Sequence, residues 1–242
     1  MDVSAVNERI EHNGISFGLH PSLAYTVSAV ECPAVLPSPD QYPGDAHPPY
    51  TAFIFPTLGR DQIEITPELR VYALSGDLSS FVYPLNSLAD LRRVLDERQS
   101  PIAWLDHAPL TTRRAYVDFE NGDGVRALVQ YMQDFYFFSN NGLLYEFNGL
   151  TEDGRSFVRL QYSVSAPFLM EFGDRSDPTS NLNPNAIPVP AWPSDDFDAQ
   201  MGIVKAYNAE ALARFEQIQA SDLNPSLIVL DDLVQSLRVD QP

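Results

Sequence analysis

The groups with which this chain could do chemistry are few: four histidines, one cysteine and a surplus of carboxylates. His12, His20, His47 and His107 are not spaced as metal-ligand pairs. A neighbouring pair such as Asp106-His107 has the composition for general acid–base work. It follows Trp104 and precedes Pro109, which is the setting of an ordinary surface loop. No G-x-S-x-G elbow, P-loop or G-x-G-x-x-G run occurs, so no catalytic residue and no cofactor is assigned. A hydrolase-type enzyme with a dispersed acid–base site is the alternative, because such sites are recognised by geometry. Asp118-Phe119-Glu120-Asn121-Gly122-Asp123-Gly124 offers hard oxygen ligands of the kind calcium takes. It departs from the EF-hand loop at its fifth position, Gly122, and carries no Glu at the twelfth. A solvated hairpin turn is the preferred reading, a calcium-stabilised domain the alternative, and no metal ligand is assigned.

The strongest binding lead is aromatic. Phe135, Tyr136, Phe137 and Phe138 are consecutive in a connection between two expected strands. Four rings in a row in an extended loop cannot all point inward, so at least one is expected to be partly exposed and free to grip a sugar or a protein. The other reading makes them a plug between the sheet end and a long helix. Trp104 and Trp192 are the expected neighbours. Arg113, Arg114 and Arg126 lie in or beside the central hairpin; they could take an anion, but pairing with nearby acids is the preferred reading.

Charge narrows the partners further. The 242 residues carry 15 Lys+Arg against 33 Asp+Glu, a net −18, and Lys205 is the sole lysine. A nucleic acid needs clustered cations, so it is disfavoured, as is an anionic membrane surface. The expected partner is an unknown protein or small-molecule ligand. Cys32 cannot form an intrachain disulfide, and it reads as a small buried hydrophobe rather than a nucleophile. No apolar run reaches the roughly 18 residues of a spanning helix. Met1-Asp2-Val3-Ser4 lacks the basic-then-apolar pattern of a leader. Cytoplasmic residence and the mature part of an exported protein are both compatible with that.

The elements that must position these groups follow from periodicity. Ile15–Leu19, Thr26–Glu31, Thr51–Phe55 and Leu69–Leu74 read as strands. Pro33 to Pro49 holds six prolines and reads as a surface excursion; Asp174 to Pro193, with five, reads as an extended crossing. A helix is expected after Ser87, with Leu88, Leu91, Val94 and Leu95 on one face and a stop at Ser100-Pro101. From Arg114 to Val164 four alternating segments are punctuated by turn residues around Gly122, Gly142 and Gly154, an antiparallel meander. Val125–Met132 also fits a helical period, but its position between turns favours a strand. A long helix opens at Ser194-Asp195-Asp196 with an apolar stripe at Met201, Val204, Tyr207, Ala211, Phe215 and Ile218. A last helix is expected with Asn224 as N-cap and Pro225 at its first position, burying Leu227, Leu230, Val234 and Leu237. The sum is one α+β domain over residues 1–242, an antiparallel sheet packed against helices.

Three segments carry a resemblance. Asn13-Gly14-Ile15-Ser16-Phe17-Gly18-Leu19-His20-Pro21-Ser22-Leu23 resembles the opening strand of uncharacterised bacterial exported proteins and lipoproteins. Phe119 to Arg126, Gln130-Tyr131 and Tyr145 to Gly154 resemble their central hairpins, and Pro225 to Asp231 with Ser236-Leu237 their closing helix. The two ends are more weakly similar to the PsbP-like αβα sandwich. The family resemblance implies export or lipid anchoring, with any lipid-carrying cysteine upstream of Met1, and an extracytoplasmic location. On that footing the expected function is a non-catalytic interaction or ligand-binding module of the bacterial cell envelope.

Overall fold

Asn13 and Gly14 adopt positive φ angles of 46° and 76° and close a two-residue hairpin between β1 (Glu8–His12) and β2 (Ile15–Leu19). Left-handed backbone at both central residues matches the right-handed twist of the flanking strands, and Asn-Gly is the pair that accepts it most easily. The computed structural model describes residues 8–38, 40, 46–56, 66–75, 88–100, 102, 108–132, 136–173, 183–190, 192–193 and 195–240. Its other strands are β3 (Ser28–Cys32), β4 (Tyr50–Ile54), β5 (Glu68–Ala73), β6 (Leu110–Phe119), β7 (Gly122–Gln130), β8 (Leu144–Thr151), β9 (Ser156–Ser163) and β10 (Arg238–Val239). Its α-helices are α1 (Leu88–Glu97), α2 (Phe197–Gln217) and α3 (Leu227–Gln235).

The expected α+β fold with an antiparallel sheet is what the chain forms. Seven strands run in the order β3-β4-β5-β9-β8-β7-β6, two meanders joined by antiparallel pairing of β5 with β9. The expected four-strand meander is β6–β9, and Val125 lies in a strand. The small sheet β1-β2-β10 goes beyond the expectation. Glu8–His12 offers one apolar residue to a period-two reading, and β10 has two residues.

Turn residues work differently from the expectation. Gly122 and Gly124 belong to β7, and the β6–β7 turn is Glu120-Asn121 alone. A Cβ on Gly124 would sit 2.4 Å from the Phe147 ring, so this glycine lets the ring lie over the sheet.

The sheet buries both faces. On one, Leu91, Val94 and Leu95 of α1 meet Tyr72, Val125, Leu150 and Phe157. On the other, the stripe of α2 and the apolar face of α3 cover Leu128, Tyr145, Val158 and Leu160, and Ile15, Phe17 and Leu19 of β2 join the same core. Asp196 caps α2, its carboxylate accepting from the Ala199 N–H at 2.9 Å. Asn224 does not cap α3. Ser226 does, its hydroxyl accepting from Ile228 N–H, while the main chain of Asn224 pairs with that of Ser165.

One charged contact binds α3 to the sheet. Arg113 takes a φ of 54° in a bulge of β6, where pairing with β7 skips between Thr112 and Ala115. The bulge offers the Arg113 carbonyl to the Arg126 guanidinium of β7. Arg126 also donates to both carboxylate oxygens of Asp231 on α3, at 3.1 and 3.2 Å, and the hydroxyl of Tyr145 donates to Asp231 Oδ1 at 2.9 Å. Burial first, then the Asp231 carboxylate, pushes the Tyr145 phenol well above its ordinary value, so it serves here as a donor. The preferred pairing of Arg126 with an acid is therefore observed, but largely out of water. Asp231→Ala should lower stability by about 3 kcal/mol, because it leaves a guanidinium without its counter-charge. Urea unfolding checks this, and a loss below about 1 kcal/mol would make the pair peripheral.

Candidate functional site

Phe137 has no exposed surface and Phe138 very little, so neither offers contact area to a partner. The Phe137 ring stands edge-on to Tyr207 of α2 at 5.1 Å and tilts against Trp192 at 5.8 Å. Asn208 of α2 fixes the segment by its backbone: Oδ1 accepts from Phe138 N–H and Nδ2 donates to the Tyr136 carbonyl, both at 2.9 Å. Phe137 and Phe138 thus plug the sheet against the long helix. Tyr136 and Trp192 are half-buried, while Phe135 and Trp104 lie outside the described residues, as do Asp106 and His107.

The polar side chains missed by sequence reasoning form a floor on the α1 side of the sheet. Register sets it out in two rows. Glu68 of β5, Gln161 of β9 and Glu146 of β8 are successive cross-strand neighbours, and so are Arg70, Arg159 and Asn148. Alternation hid them, since polar residues opposite an apolar row read as the solvated face of a strand. Glu146 is fully buried and accepts from Arg159 at 3.2 Å, Gln161 at 2.8 Å, Asn148 at 3.1 Å and the Tyr131 hydroxyl at 3.3 Å. Four donors fill its lone-pair directions, leaving none for a substrate proton. Arg70 pairs with Glu68 and lies over the Tyr50 ring, 5.3 Å from its centre.

A second cluster ties the two sheets together. Glu31 of β3 accepts from Asn13 Nδ2 at 2.8 Å and from the Thr51 hydroxyl at 3.1 Å, and meets His12 Nε2 at 2.9 Å. Burial works against its charged form, but hydrogen bonds from Asn13, His12 and Thr51 outweigh it and hold the carboxyl below its ordinary value. Histidine, carboxylate and hydroxyl are all present, yet in the wrong order. A nucleophile is activated when the imidazole lies between hydroxyl and carboxylate. Here the carboxylate lies between the other two, and Thr51 is buried. His20 does reach the Ser22 hydroxyl at 2.7 Å. The same Nδ1 accepts the Ser22 N–H, a local turn, and among the described residues no carboxylate orients the ring.

The calcium candidate is held by a cation. Asp118 and Asp123 face each other across β6 and β7, and Arg98 donates to both. No group of three or more His, Cys, Asp or Glu that could hold a metal occurs among the described residues.

What the surface does offer is an edge. β3 is the terminal strand of the seven, its residues Ser28 to Glu31 are all exposed, and Cys32 is partly so. Val30 in it is 43% exposed, and Tyr25 and Leu36, which flank it in sequence, are 79% and 69% exposed. The signal was present in Thr26–Glu31, a strand pattern with no long apolar side chain that is followed, after Cys32, by Pro33. No protein-family model matches this chain, and comparison with curated proteins and with solved structures gave no match.

Two outcomes test this placement. Phe137→Ala should cost about 3–5 kcal/mol in thermal or urea unfolding, the penalty of emptying a packed aromatic site; a change within about 0.5 kcal/mol would return the ring to the surface. The Glu31 carboxyl titrates lower when folded than its ordinary value of 4.5. Its contribution is therefore complete above that value and is lost as pH falls through the lowered one. The gap in thermal midpoint between wild type and Glu31→Gln should shrink on acidification from about pH 5 to pH 2. A constant gap would contradict a depressed carboxyl.

Proposed function

We propose that this chain is a non-catalytic interaction module of the bacterial cell envelope, acting through the surface around β3. One observation carries the reading: β3 is an open edge of the seven-stranded sheet, and its residues Ser28 to Glu31, Val30 among them, are all exposed. An edge strand with unpaired main-chain groups is a ready template for pairing with another chain. The chemistry of the described residues supports it. Glu146 is saturated by donors, Glu31 stands between its imidazole and its hydroxyl, and Asp231 is held by Arg126 and Tyr145. Each is occupied in holding elements together. The envelope location is supported by the resemblance of the opening strand, central hairpins and closing helix to exported bacterial proteins.

Two measurements test the proposal. A tagged chain expressed from its own gene should fractionate with the envelope, and recovery in the cytoplasm alone would overturn the location. The purified protein should not turn over p-nitrophenyl esters or phosphates above buffer. Turnover abolished by His107→Ala or His12→Ala would replace the module with the dispersed hydrolase site.

A further inference from the structure

The main chain of β3 is what a partner would read. Phe55 N–H bonds the Pro67 carbonyl at 3.0 Å and Ala73 N–H bonds the Pro49 carbonyl at 3.3 Å. Odd-numbered positions from 49 to 55 therefore direct their main-chain groups at β5, as antiparallel alternation requires. Even-numbered Tyr50, Ala52 and Ile54 then turn theirs toward Cys32, Val30 and Ser28. Ala29 and Glu31 are left with N–H and C=O pointing outward from the sheet, and both residues are exposed. The two faces of the strand also differ. Ser28, Val30 and Cys32 share one, and Ala29 shares the other with Glu31, whose carboxylate is held in its charged form.

From this we infer that β3 takes an extended, cationic segment of a partner protein as an eighth strand of the sheet. The inference rests on the module reading above and adds the class of partner. Main-chain pairing with Ala29 and Glu31 supplies the docking, as in strand addition generally. An alternating segment lays its apolar side chains beside Val30 and its cations on the face of Glu31, whose carboxylate keeps its charge while accepting from Asn13 and Thr51. The sign of the partner follows from the net charge of −18, which draws cations in and repels a second copy.

The test uses labelled (Lys-Val)4 and (Glu-Val)4 peptides in fluorescence anisotropy at about 0.15 M salt, where surface charges more than about 8 Å apart are largely screened. (Lys-Val)4 should bind saturably and (Glu-Val)4 should not. Ala29→Pro removes the outward N–H without touching the β4 ladder, since proline is accepted on edge strands in that orientation. It should weaken (Lys-Val)4 at least tenfold with circular dichroism unchanged. Hydrogen exchange on the wild type gives a reading independent of any variant: the Ala29 and Glu31 amides should become protected when (Lys-Val)4 is added. Equal binding by Ala29→Pro, or amides whose exchange does not change, would reduce the effect to diffuse charge and overturn strand addition. A dimer in sedimentation with those amides already protected would give the edge to a second copy and overturn it as well. Absence of (Lys-Val)4 binding refutes the strand partner and leaves the non-catalytic reading intact, whereas ester turnover refutes the latter alone.

Discussion

Helix α3 stands between the two sheets, and the contact of Asp231 with Arg126 and Tyr145 holds it there. The placement of the chain beyond α3 depends on that docking. The Leu237 carbonyl accepts the Glu120 N–H at the β6–β7 turn, and the Asn121 side chain bonds both N–H and C=O of Val239. Val239 and Arg238 in turn pair with β2. The small sheet thus gains its third strand only if α3 sits on the large one. A charged pair suits this task because it fixes one geometry, where an apolar contact would tolerate sliding along the helix axis. Desolvation opposes burying such a pair, so specificity of docking is a better account of it than net stability. The Arg113 bulge belongs to the same device, since a regular β6 would point that carbonyl along its ladder and away from Arg126.

The two faces of the large sheet answer burial in different ways. Toward α2 and α3 the buried rows are mostly apolar, and Arg126 is the buried charge among them in the described residues. Toward α1 the core is smaller, and Glu146, Arg159 and Asn148 are buried beside it. Arg70 and Arg159 are direct cross-strand neighbours, a repulsive arrangement in isolation. Glu68 and Glu146 sit one row away and each takes one of the arginines. A polar network of this kind defines register tightly, because a slip of one residue would turn every member to the opposite face. The saturation of Glu146 by its donors makes it a poor acid–base site.

The architecture was legible wherever one face of an element is apolar. The meander from β6 to β9 and the stripes of α2 and α3 announce themselves through apolar periods of two and 3.6 in the sequence. Elements held by other means were not legible. β1 is mostly charged, and the residue pair that betrays it is the Asn13-Gly14 turn rather than any period in Glu8–His12. β10 exists because α3 delivers it. The aromatic lead shows the limit for sites. Counting rings in Phe135–Phe138 cannot reveal that Asn208, far away in sequence, accepts and donates to their backbone and so turns two of them inward. Likewise Glu31 reads as one exposed acid among many, and becomes a junction only when β1, β2, β3 and β4 are placed together.

Net charge and the open edge are best understood jointly. A bare edge strand invites pairing with copies of itself, and proteins blunt that tendency with short strands, charge and proline. β3 has five residues, carries Glu31 and is followed by Pro33. Over the whole molecule, 33 acids against 15 cations make approach of a second copy unfavourable without altering the edge itself. The same excess favours any cationic chain over a neutral one. On the proposed strand addition, discrimination against self and selection of an oppositely charged partner would be one electrostatic property acting on one structural feature. The cations present are nearly all arginines, and those at Arg126, Arg159, Arg70 and Arg98 are held by specific acids. Each such pair cancels one acid, and the 18 acids in excess set the field that the surface projects.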